Sequence, residues 1–441
     1  MPSSSMGKRA IGTGISVALA ASLLGGAVAV AQDDSVAILS TQFEPVAEQE
    51  VMNNVILADS PVDVEYLTVP STGAFFEQIE LDQADGGGDI DAFGALHGEF
   101  ATLAKDDLLL DLSDIAAELG ISDALLEVGK LGTDKQHYIP WMQATYVMAA
   151  NNDALQYLPE GADLNTLTWD QWRDWGANIT EATGERALGL PLMGGPGAAL
   201  HHRLLQGYLY PSFTGAVNNE FATEKGIARG EWLKDAWQYI NPHATWSQMD
   251  VPLQNREVMV AWDHTARLIE ALRAEPENFT AFPAPAGPEG RGFMPVIVGL
   301  GIPKTASNPE GAKELLKHYL APEIQGLVLE ERGWFPVLSE TVPAEIDDGL
   351  RLQMDAVAAQ SGDDLALPAL LPIGLGEQGA AYNFAFQDTM NWILVQDVPP
   401  EDYLKNNSGP ILQEVLNRAE APCWSPDADS GEETCQVGGL E

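Results

Sequence analysis

The stretch EVMVAWDHTARLIEAL, residues 257–272, places an indole, a carboxylate and an imidazole side by side at the end of an apolar run. An Asp beside a His can act as an acid–base pair, line a binding pocket, or simply end a strand. Adjacent side chains point to opposite faces of a strand and lie about 100° apart on a helix, so the spacing disfavours a catalytic dyad. We therefore expect Trp262 at a strand end, with Asp263 as a hydroxyl acceptor or as the cap of a helix that begins at Thr265, and with His264 beside them.

Strand and helix patterns alternate along the chain from Ser35 onward. VAILS has the pattern of a buried strand, PVAEQEVMNNVIL that of a helix, and VDVEYLTV that of a second strand. This order is typical of βαβ units, in which helices cover the faces of a parallel sheet. A chain of 441 residues is long enough for two or three domains of roughly 100–200 residues each. The sequence therefore predicts an α/β protein of more than one domain.

A second aromatic group, TWDQWRDW, has the spacing of a helix. Thr168 and Gln171 match a capping box, and Trp169, Trp172 and Trp175 recur on one helical face. Such a stripe is more typical of core packing than of a ligand platform. We therefore leave these three tryptophans out of the candidate site.

The N-terminal residues have the pattern of an exported protein. Lys8 and Arg9 precede a stretch rich in Gly and Ala, and Ala29, Val30 and Ala31 match a cleavage site. This predicts a signal peptide over residues 1–31 and favours it over a membrane anchor, which needs roughly 20 strongly apolar residues. No cysteine lies near the cleavage site, so the sequence does not support a lipid-anchored lipoprotein. We expect a periplasmic or extracellular protein.

Charge and cysteine content limit the partners. The chain has 65 Asp and Glu against 22 Lys and Arg, a net charge of −43. Acid dispersed in this way is typical of a hydrated surface suited to high salt, and its field repels nucleic acid and anionic lipid. Cys423 and Cys435 are the only cysteines. Their close spacing in an exported chain predicts a disulfide, with two free thiols as the alternative.

Several catalytic and cofactor motifs are missing from the sequence. It contains no Walker phosphate loop, no G-x-S-x-G, no H-E-x-x-H and no G-x-G-x-x-G after a strand. Their absence removes the motif evidence for a nucleotide enzyme, a serine hydrolase or a zinc protease. We therefore expect none of these three enzyme classes, and no cofactor and no metal.

Four segments resemble, in the same order, the family 1 extracellular solute-binding proteins of ABC transporters, the sugar-binding group similar to maltose-binding protein. They span 86–114, 137–172, 255–268 and 290–337. The resemblance implies two α/β lobes that close on a ligand in the cleft between them. It also implies that the protein is not an enzyme but a monomer that delivers a small solute, here a carbohydrate, to a membrane permease. On this basis lobe 1 is expected at 33–145 plus 279–325, and lobe 2 at 146–278 plus 326–441.

The resemblance also implies which residues reach the cleft. They are taken from the matching segments AFGALHGEF, YIPWMQ, VAWDHTARL, GWFPV, GLGEQGAAYNF and STQFEP. The expected ligand-binding residues are Gln42, Phe43, Phe93, His97, Glu99, Trp141, Gln143, Trp262, Asp263, His264, Trp334 and Tyr382. Flat aromatic rings suit the C–H faces of a sugar, and the polar groups suit its hydroxyls.

Two alternatives stay open at this point. The segment GGPGAALHH departs from the maltose-binding pattern, so a protein of the same fold for another solute remains possible: a polyamine, a polyol, a compatible solute or an organic phosphate. A secreted carbohydrate-active enzyme would also use a cleft with aromatic rings and two carboxylates. In a chain so rich in acid, carboxylate pairs alone do not distinguish an enzyme from a binding protein.

Overall fold

The computed structural model describes residues 35–192, 200–242, 246–338, 346–370, 375–424, 427 and 431–440. The signal peptide expected at 1–31 lies outside these residues. The strands in chain order are β1 (Val36–Ser40), β2 (Val64–Thr68), β3 (Ala92–Leu96), β4 (Ile139–Ala144), β5 (Tyr146–Asn151), β6 (Leu188–Gly189), β7 (Val260–His264), β8 (Phe279–Phe282), β9 (Arg291–Phe293), β10 (Val296–Gly301), β11 (Phe335–Pro336) and β12 (Ala366–Pro368).

Helices make up much of the rest of the described chain. The α-helices are α1 (Val46–Val51), α2 (Thr72–Ala84), α3 (His97–Lys105), α4 (Ser113–Ala116), α5 (Asp123–Gly129), α6 (Trp169–Thr183), α7 (His201–Leu204), α8 (Tyr210–Thr214), α9 (Glu224–Ala236), α10 (Asp250–Gln254), α11 (Thr265–Ala274), α12 (Pro309–Tyr319), α13 (Pro322–Arg332), α14 (Asp348–Ser361), α15 (Gly379–Met390), α16 (Pro400–Tyr403) and α17 (Gly409–Ala419). A π-helical segment, Leu205–Leu209, joins α7 to α8.

The larger sheet has six strands in the order β11-β4-β10-β3-β1-β2. β1 pairs in parallel with β2 and β3, whereas β10 runs antiparallel to β3 and β4. Ile38 of β1 lies opposite Ala92 on one side and Tyr66 on the other. The continuous apolar run of β1 is explained by this central position, because helices cover both faces of such a strand.

The smaller sheet has four strands in the order β6-β7-β5-β8. Met148 of β5 lies opposite Trp262 of β7 and Phe282 of β8. Helix α6 packs in the hydrophobic cluster of this sheet. Its capping box at Thr168 is present, and Trp169, Trp172 and Trp175 are buried in the core, so both predictions from the tryptophan stripe are confirmed.

The strand pairing crosses between the sheets at Thr145, which separates β4 from β5. Two of the expected lobe boundaries do not follow this pairing. The segment 279–325 was expected in lobe 1, but β8 at its start pairs with β5 of the smaller sheet. The segment 326–441 was expected in lobe 2, but β11 pairs with β4 of the larger sheet. No helix among the described residues is both long and apolar enough to cross a membrane.

Candidate functional site

Leu96 and Trp334 mark the boundary between the two sheets. Both are half-buried, and both pack against the hydrophobic cluster of the larger sheet and against that of the smaller sheet. Leu96 ends β3, and Trp334 follows Gly333, which ends α13 with a left-handed φ of 65°. Both sheets can therefore contribute side chains to the region around these two residues.

The smaller sheet brings a group of aromatic rings to this boundary. Tyr146 and Trp262 stack in parallel, with centroids 4.7 Å apart and an angle of 5° between the rings. Tyr208 meets the edges of both rings. His264 lies 5.0 Å from Tyr146 and 5.2 Å from Trp334, measured between ring centroids. Trp262 is fully buried and its Nε1 has no hydrogen-bond partner, so its indole is enclosed in this conformation.

Asp263 and His264 have separate structural roles. Oδ2 of Asp263 accepts from the backbone N–H of Met249, and Oδ1 accepts from that of His264. Nδ1 of His264 accepts from the backbone N–H of Ala266, so His264 is the N-cap of α11. The alternative in which Asp263 caps this helix is wrong, because its carboxylate is taken up by the two other N–H groups.

Burial moves the pKa values of this pair in opposite directions. It raises the pKa of Asp263 to about 7, against the opposing effects of Arg267 and of the two backbone donors. It lowers the pKa of His264 to about 3, with a further contribution from Arg267. His264 is therefore neutral at pH 7, as its acceptor role at Nδ1 requires.

The larger sheet brings the first turn of α3 to the boundary, directly after Leu96. His97 shares a hydrogen bond of 2.6 Å between its Nδ1 and the hydroxyl of Tyr138, and burial lowers the pKa of His97 to about 4. Glu99 is only 7% exposed. Its Oε1 accepts from the hydroxyl of Thr72 at 2.8 Å, whereas its buried Oε2 has no partner among the described residues. Burial raises the pKa of Glu99, and the hydrogen bond from Thr72 and the charge of Arg203 oppose this.

Arg203 on α7 is a residue that the sequence reasoning missed. It is half-buried, and its Nη1 donates to Oε1 of Gln206 at 3.0 Å. Burial lowers the pKa of Arg203. Its charge in turn opposes the effect of burial on the pKa of Glu99, Tyr146 and Tyr382, which places the guanidinium within electrostatic range of groups from both sheets.

Of the other predicted residues, some lie in the core of the larger sheet and some near the ends of its strands. Phe93 is buried against Phe75, and Trp141 is buried between Phe43 and Tyr319. These rings hold the larger sheet together. The side chain of Gln143 donates to the carbonyl of Pro336, and that of Gln42 donates to the hydroxyl of Thr41. Both glutamines are half-buried after or near strand ends.

Tyr382 lies inside the helical part that covers the smaller sheet. Its hydroxyl donates to Oδ1 of Asn218 at 2.7 Å, and its ring meets that of Trp424 at 6.0 Å. The next residue, Asn383, accepts from the side chain of Gln206 through Oδ1. Tyr382 therefore supports the boundary indirectly, through α15, in this conformation.

The C-terminal cysteines are joined by a disulfide. Sγ atoms of Cys423 and Cys435 are 2.00 Å apart. Together with Asp427 they form a group of the kind that can hold a metal ion, within the part of the chain that the structure describes. Because both sulfurs are in the disulfide, this group offers no thiolate to an ion.

The arrangement at the boundary provides aromatic surface, a carboxyl group with one unpartnered oxygen, and a guanidinium. This combination can bind a polar solute by stacking and by hydrogen bonds given and accepted. The candidate site therefore consists of the rings of Tyr146, His264 and Trp334 at the boundary, of Glu99 in the first turn of α3, and of Arg203, which is within electrostatic range of Glu99 and Tyr146.

Solved structures with the same fold are numerous. The GacH receptor of Streptomyces glaucescens, solved unliganded and with acarbose, is 18% identical, with a TM-score of 0.67 over 87% of this chain and 98% of that one. Maltose-bound MalE3 of T. maritima is also 18% identical, with a TM-score of 0.67 over 86% and 98%. UgpB of Mycobacterium tuberculosis, in complex with glycerophosphocholine, is 16% identical, with a TM-score of 0.67 over 87% and 98%. The fold is thus the two-lobed fold of periplasmic binding proteins.

Sequence comparison gives the family directly. No match was found among curated proteins. The sequence model of the bacterial extracellular solute-binding proteins matches residues 48–326, which is more than half of the chain. The chain therefore belongs to the bacterial extracellular solute-binding protein family.

Proposed function

We propose that this protein binds a carbohydrate or a related polyol between two lobes and delivers it to the permease of an ABC importer. One lobe is built on the larger sheet and the other on the smaller sheet, with the first crossing at Thr145. The exported, monomeric state expected from the sequence fits this role. Binding of this kind needs no catalysis, no cofactor and no metal.

One observation carries the proposal. Glu99, which follows a strand of the larger sheet, and Tyr146 and His264, on strands of the smaller sheet, converge at Leu96 and Trp334. A solute held there would contact both lobes at once. Only a ligand that interacts better with the closed arrangement than with the open one can shift a protein towards closure, and a bridging ligand meets that condition.

Relatives of the same fold support a polar solute. GacH was solved with acarbose, MalE3 with maltose and UgpB with glycerophosphocholine. Two of these ligands are saccharides or saccharide-like, and the third is a phosphodiester of a polyol. The site proposed here has the aromatic rings and hydrogen-bonding groups that such ligands require.

A thermal-shift screen of the exported protein with mono- and oligosaccharides, polyols and amines tests the proposal. A ligand at 100 times its Kd stabilises the folded state by about 2.7 kcal/mol, so a true solute raises the melting temperature measurably. We expect a sugar or polyol to do so. A shift with an amine and none with any sugar or polyol would refute the carbohydrate assignment.

Small-angle X-ray scattering with and without that ligand tests the closing motion, because closure lowers the radius of gyration. The enzymatic alternative is tested by incubating oligosaccharides with catalytic amounts of protein. Release of reducing sugar at a rate proportional to the protein concentration would favour a carbohydrate-active enzyme instead.

A further inference from the structure

The segment that contains Arg203 differs in charge from the rest of the chain. Residues 187–219 contain no Asp or Glu, although the whole chain has 65 such residues among 441. Arg203 is the only Lys or Arg in this segment. In a protein of net charge −43, a stretch of this length without acid leaves a positive charge locally uncompensated.

No carboxylate forms an ion pair with Arg203 among the described residues. Its side chain donates instead to Oε1 of Gln206, a neutral amide oxygen. Residues 193–199, which precede α7 and lie outside the described part of the chain, contain no Asp or Glu in sequence. Several other arginine side chains form ion pairs, such as Arg291 with Asp363 at 2.6 Å and Arg273 with Asp347 at 3.0 Å.

The side chain of Arg203 is held in place by neutral groups. Gln206 receives the hydrogen bond from Arg203 through Oε1, and its Nε2 donates to Oδ1 of Asn383 on α15 at 3.0 Å. Because Nε2 is engaged by Asn383, this chain of amides turns the oxygen end of the Gln206 amide towards the guanidinium. It orients the charge without neutralising it, which is the arrangement expected when the charge has to bind something else.

The carboxyl group within electrostatic range of Arg203 does not cancel its charge by pairing. Glu99 gives Oε1 to the hydroxyl of Thr72, and its buried Oε2 has no partner. Burial raises the pKa of Glu99, and the charge of Arg203 opposes this shift. Burial also raises the pKa of Tyr146, so its hydroxyl adds no negative charge to the site at neutral pH.

We propose that Arg203 binds an anionic oxygen group of the solute, so that the preferred ligand is a sugar or polyol bearing a phosphate or a carboxylate. A guanidinium donates two parallel hydrogen bonds to such a group. The unpartnered Oε2 of Glu99 accepts from a hydroxyl of the same ligand. This proposal rests on the proposed function, since it specifies the solute of the same site.

Isothermal titration calorimetry with matched neutral and anionic probes tests this inference. The pairs are glucose with glucose 1-phosphate and with glucuronate, and glycerol with glycerol 3-phosphate. We expect at least one anionic member to bind at least about tenfold more tightly than its neutral parent. Comparison of the phosphate probes with glucuronate then shows whether the preferred anionic group is a phosphate or a carboxylate.

The variant Arg203→Gln should lower the affinity for that anionic probe at least about tenfold and change the affinity for its neutral parent little. Arg203→Lys, which keeps the charge but not the planar fork, should give an intermediate loss. Arg418→Gln is the matched control, because Arg418 is an exposed arginine on α17 paired with Glu414. It makes the same change in net charge and should leave every affinity unchanged.

Three results would overturn the inference. They are equal affinity for a neutral sugar and its anionic counterpart, anion affinity that survives Arg203→Gln, and no binding of any anionic probe. The comparison within the wild-type protein is decisive even if Arg203→Gln does not fold. If a neutral sugar binds tightly and Arg203→Gln changes no affinity, the inference fails while the proposed function stands. If no sugar or polyol binds in any form, the proposed function fails with it.

Discussion

The two sides of the candidate site are built differently. The larger sheet contributes the first turn of one helix, α3, in which His97 and Glu99 are buried polar groups. The smaller sheet contributes stacked rings, Tyr146 on Trp262, with Arg203 alongside on a helix segment that contains no acid. One side can only meet the polar edge of a solute, whereas the other offers both apolar surface and a positive charge.

This difference indicates that the two sides contribute differently to affinity and to selectivity. Aromatic rings bury much apolar area with few orientational demands, so they supply affinity for many solutes of similar shape. A buried carboxyl group with one free oxygen rejects a solute that leaves it unpaired, because an unsatisfied buried polar atom is costly. We therefore expect the aromatic side to control stability and general affinity, and the Glu99 side to control selectivity.

Replacing the enclosed tryptophan should have the largest effect on stability. Trp262→Ala removes a fully buried ring stacked on Tyr146, and it should lower the free energy of unfolding by about 3–5 kcal/mol. Trp334→Ala, at a half-buried ring on the boundary, should cost less than about half of that. Urea denaturation of both variants makes the comparison. Equal losses would show that Trp334 is a core residue and not part of a binding surface.

Replacing the carboxyl group on the other side should affect binding more than folding. Glu99→Gln should weaken binding of the solute found in the screen roughly 10- to 100-fold, because a hydrogen bond to Oε2 is lost or reversed. Its amide oxygen can still accept from Thr72, so the melting temperature without ligand should change little. Glu77→Gln, an exposed glutamate on α2, is the control and should change neither quantity. A drop in melting temperature with unchanged affinity would make Glu99 purely structural.

Asp263 and His264 should change the free energy of unfolding in opposite directions as the pH falls. The folded-state pKa of His264 is about 3 and that of His97 about 4, both below the ordinary value of 6.5. The unfolded chain therefore binds protons first, and stability is lost as the pH falls from about 6.5 towards 4, by up to about 1.4 kcal/mol per pH unit for each group. Asp263, with a raised pKa of about 7, acts in the opposite direction and adds stability as the pH falls from 7 towards 4.

Urea denaturation at pH 7, 6 and 5 measures this balance. Asp263→Asn removes the compensating group, so the variant should lose stability with acidification more steeply than the wild type. His97→Asn removes one proton-binding site of the unfolded chain, so its slope should be shallower. Parallel slopes for the wild type and both variants would show that neither side of the site is coupled to pH in this way.

Much of the fold could be predicted from local sequence, because caps and periodicity are local. The capping box of α6 and its buried tryptophans occur as the pattern indicates. The lobe boundaries could not be predicted as well. The pairing of β8 with β5 and of β11 with β4 joins residues far apart in sequence, and no local signal specifies such contacts.

The candidate site was predictable only in part, for the same reason. Resemblance to a family placed Glu99, His264 and Trp334 near the boundary, but it also included Phe93 and Trp141, which pack within the larger sheet. Asp263 was open to a capping role because Met249, whose N–H it binds, approaches only in the folded chain. Arg203 belongs to no motif. The signal that could have found it is the absence of acid from 187 to 219 in so acidic a sequence.

Removing the hydroxyl that orients Glu99 should have the smallest effect on affinity. It also tests how many contacts the larger sheet makes with the solute. Thr72→Val deletes the hydroxyl that donates to Oε1 of Glu99 at 2.8 Å while keeping the shape of the side chain. A hydrogen bond of this kind contributes about 0.5–1.5 kcal/mol, so the affinity for solute should fall a few-fold and by less than in Glu99→Gln. Thr72→Ser keeps the hydroxyl and should restore the affinity, as calorimetric titration of the three proteins would show. If Thr72→Val matches Glu99→Gln, the hydroxyl itself binds the solute, and the larger sheet then supplies two contacts where we infer one.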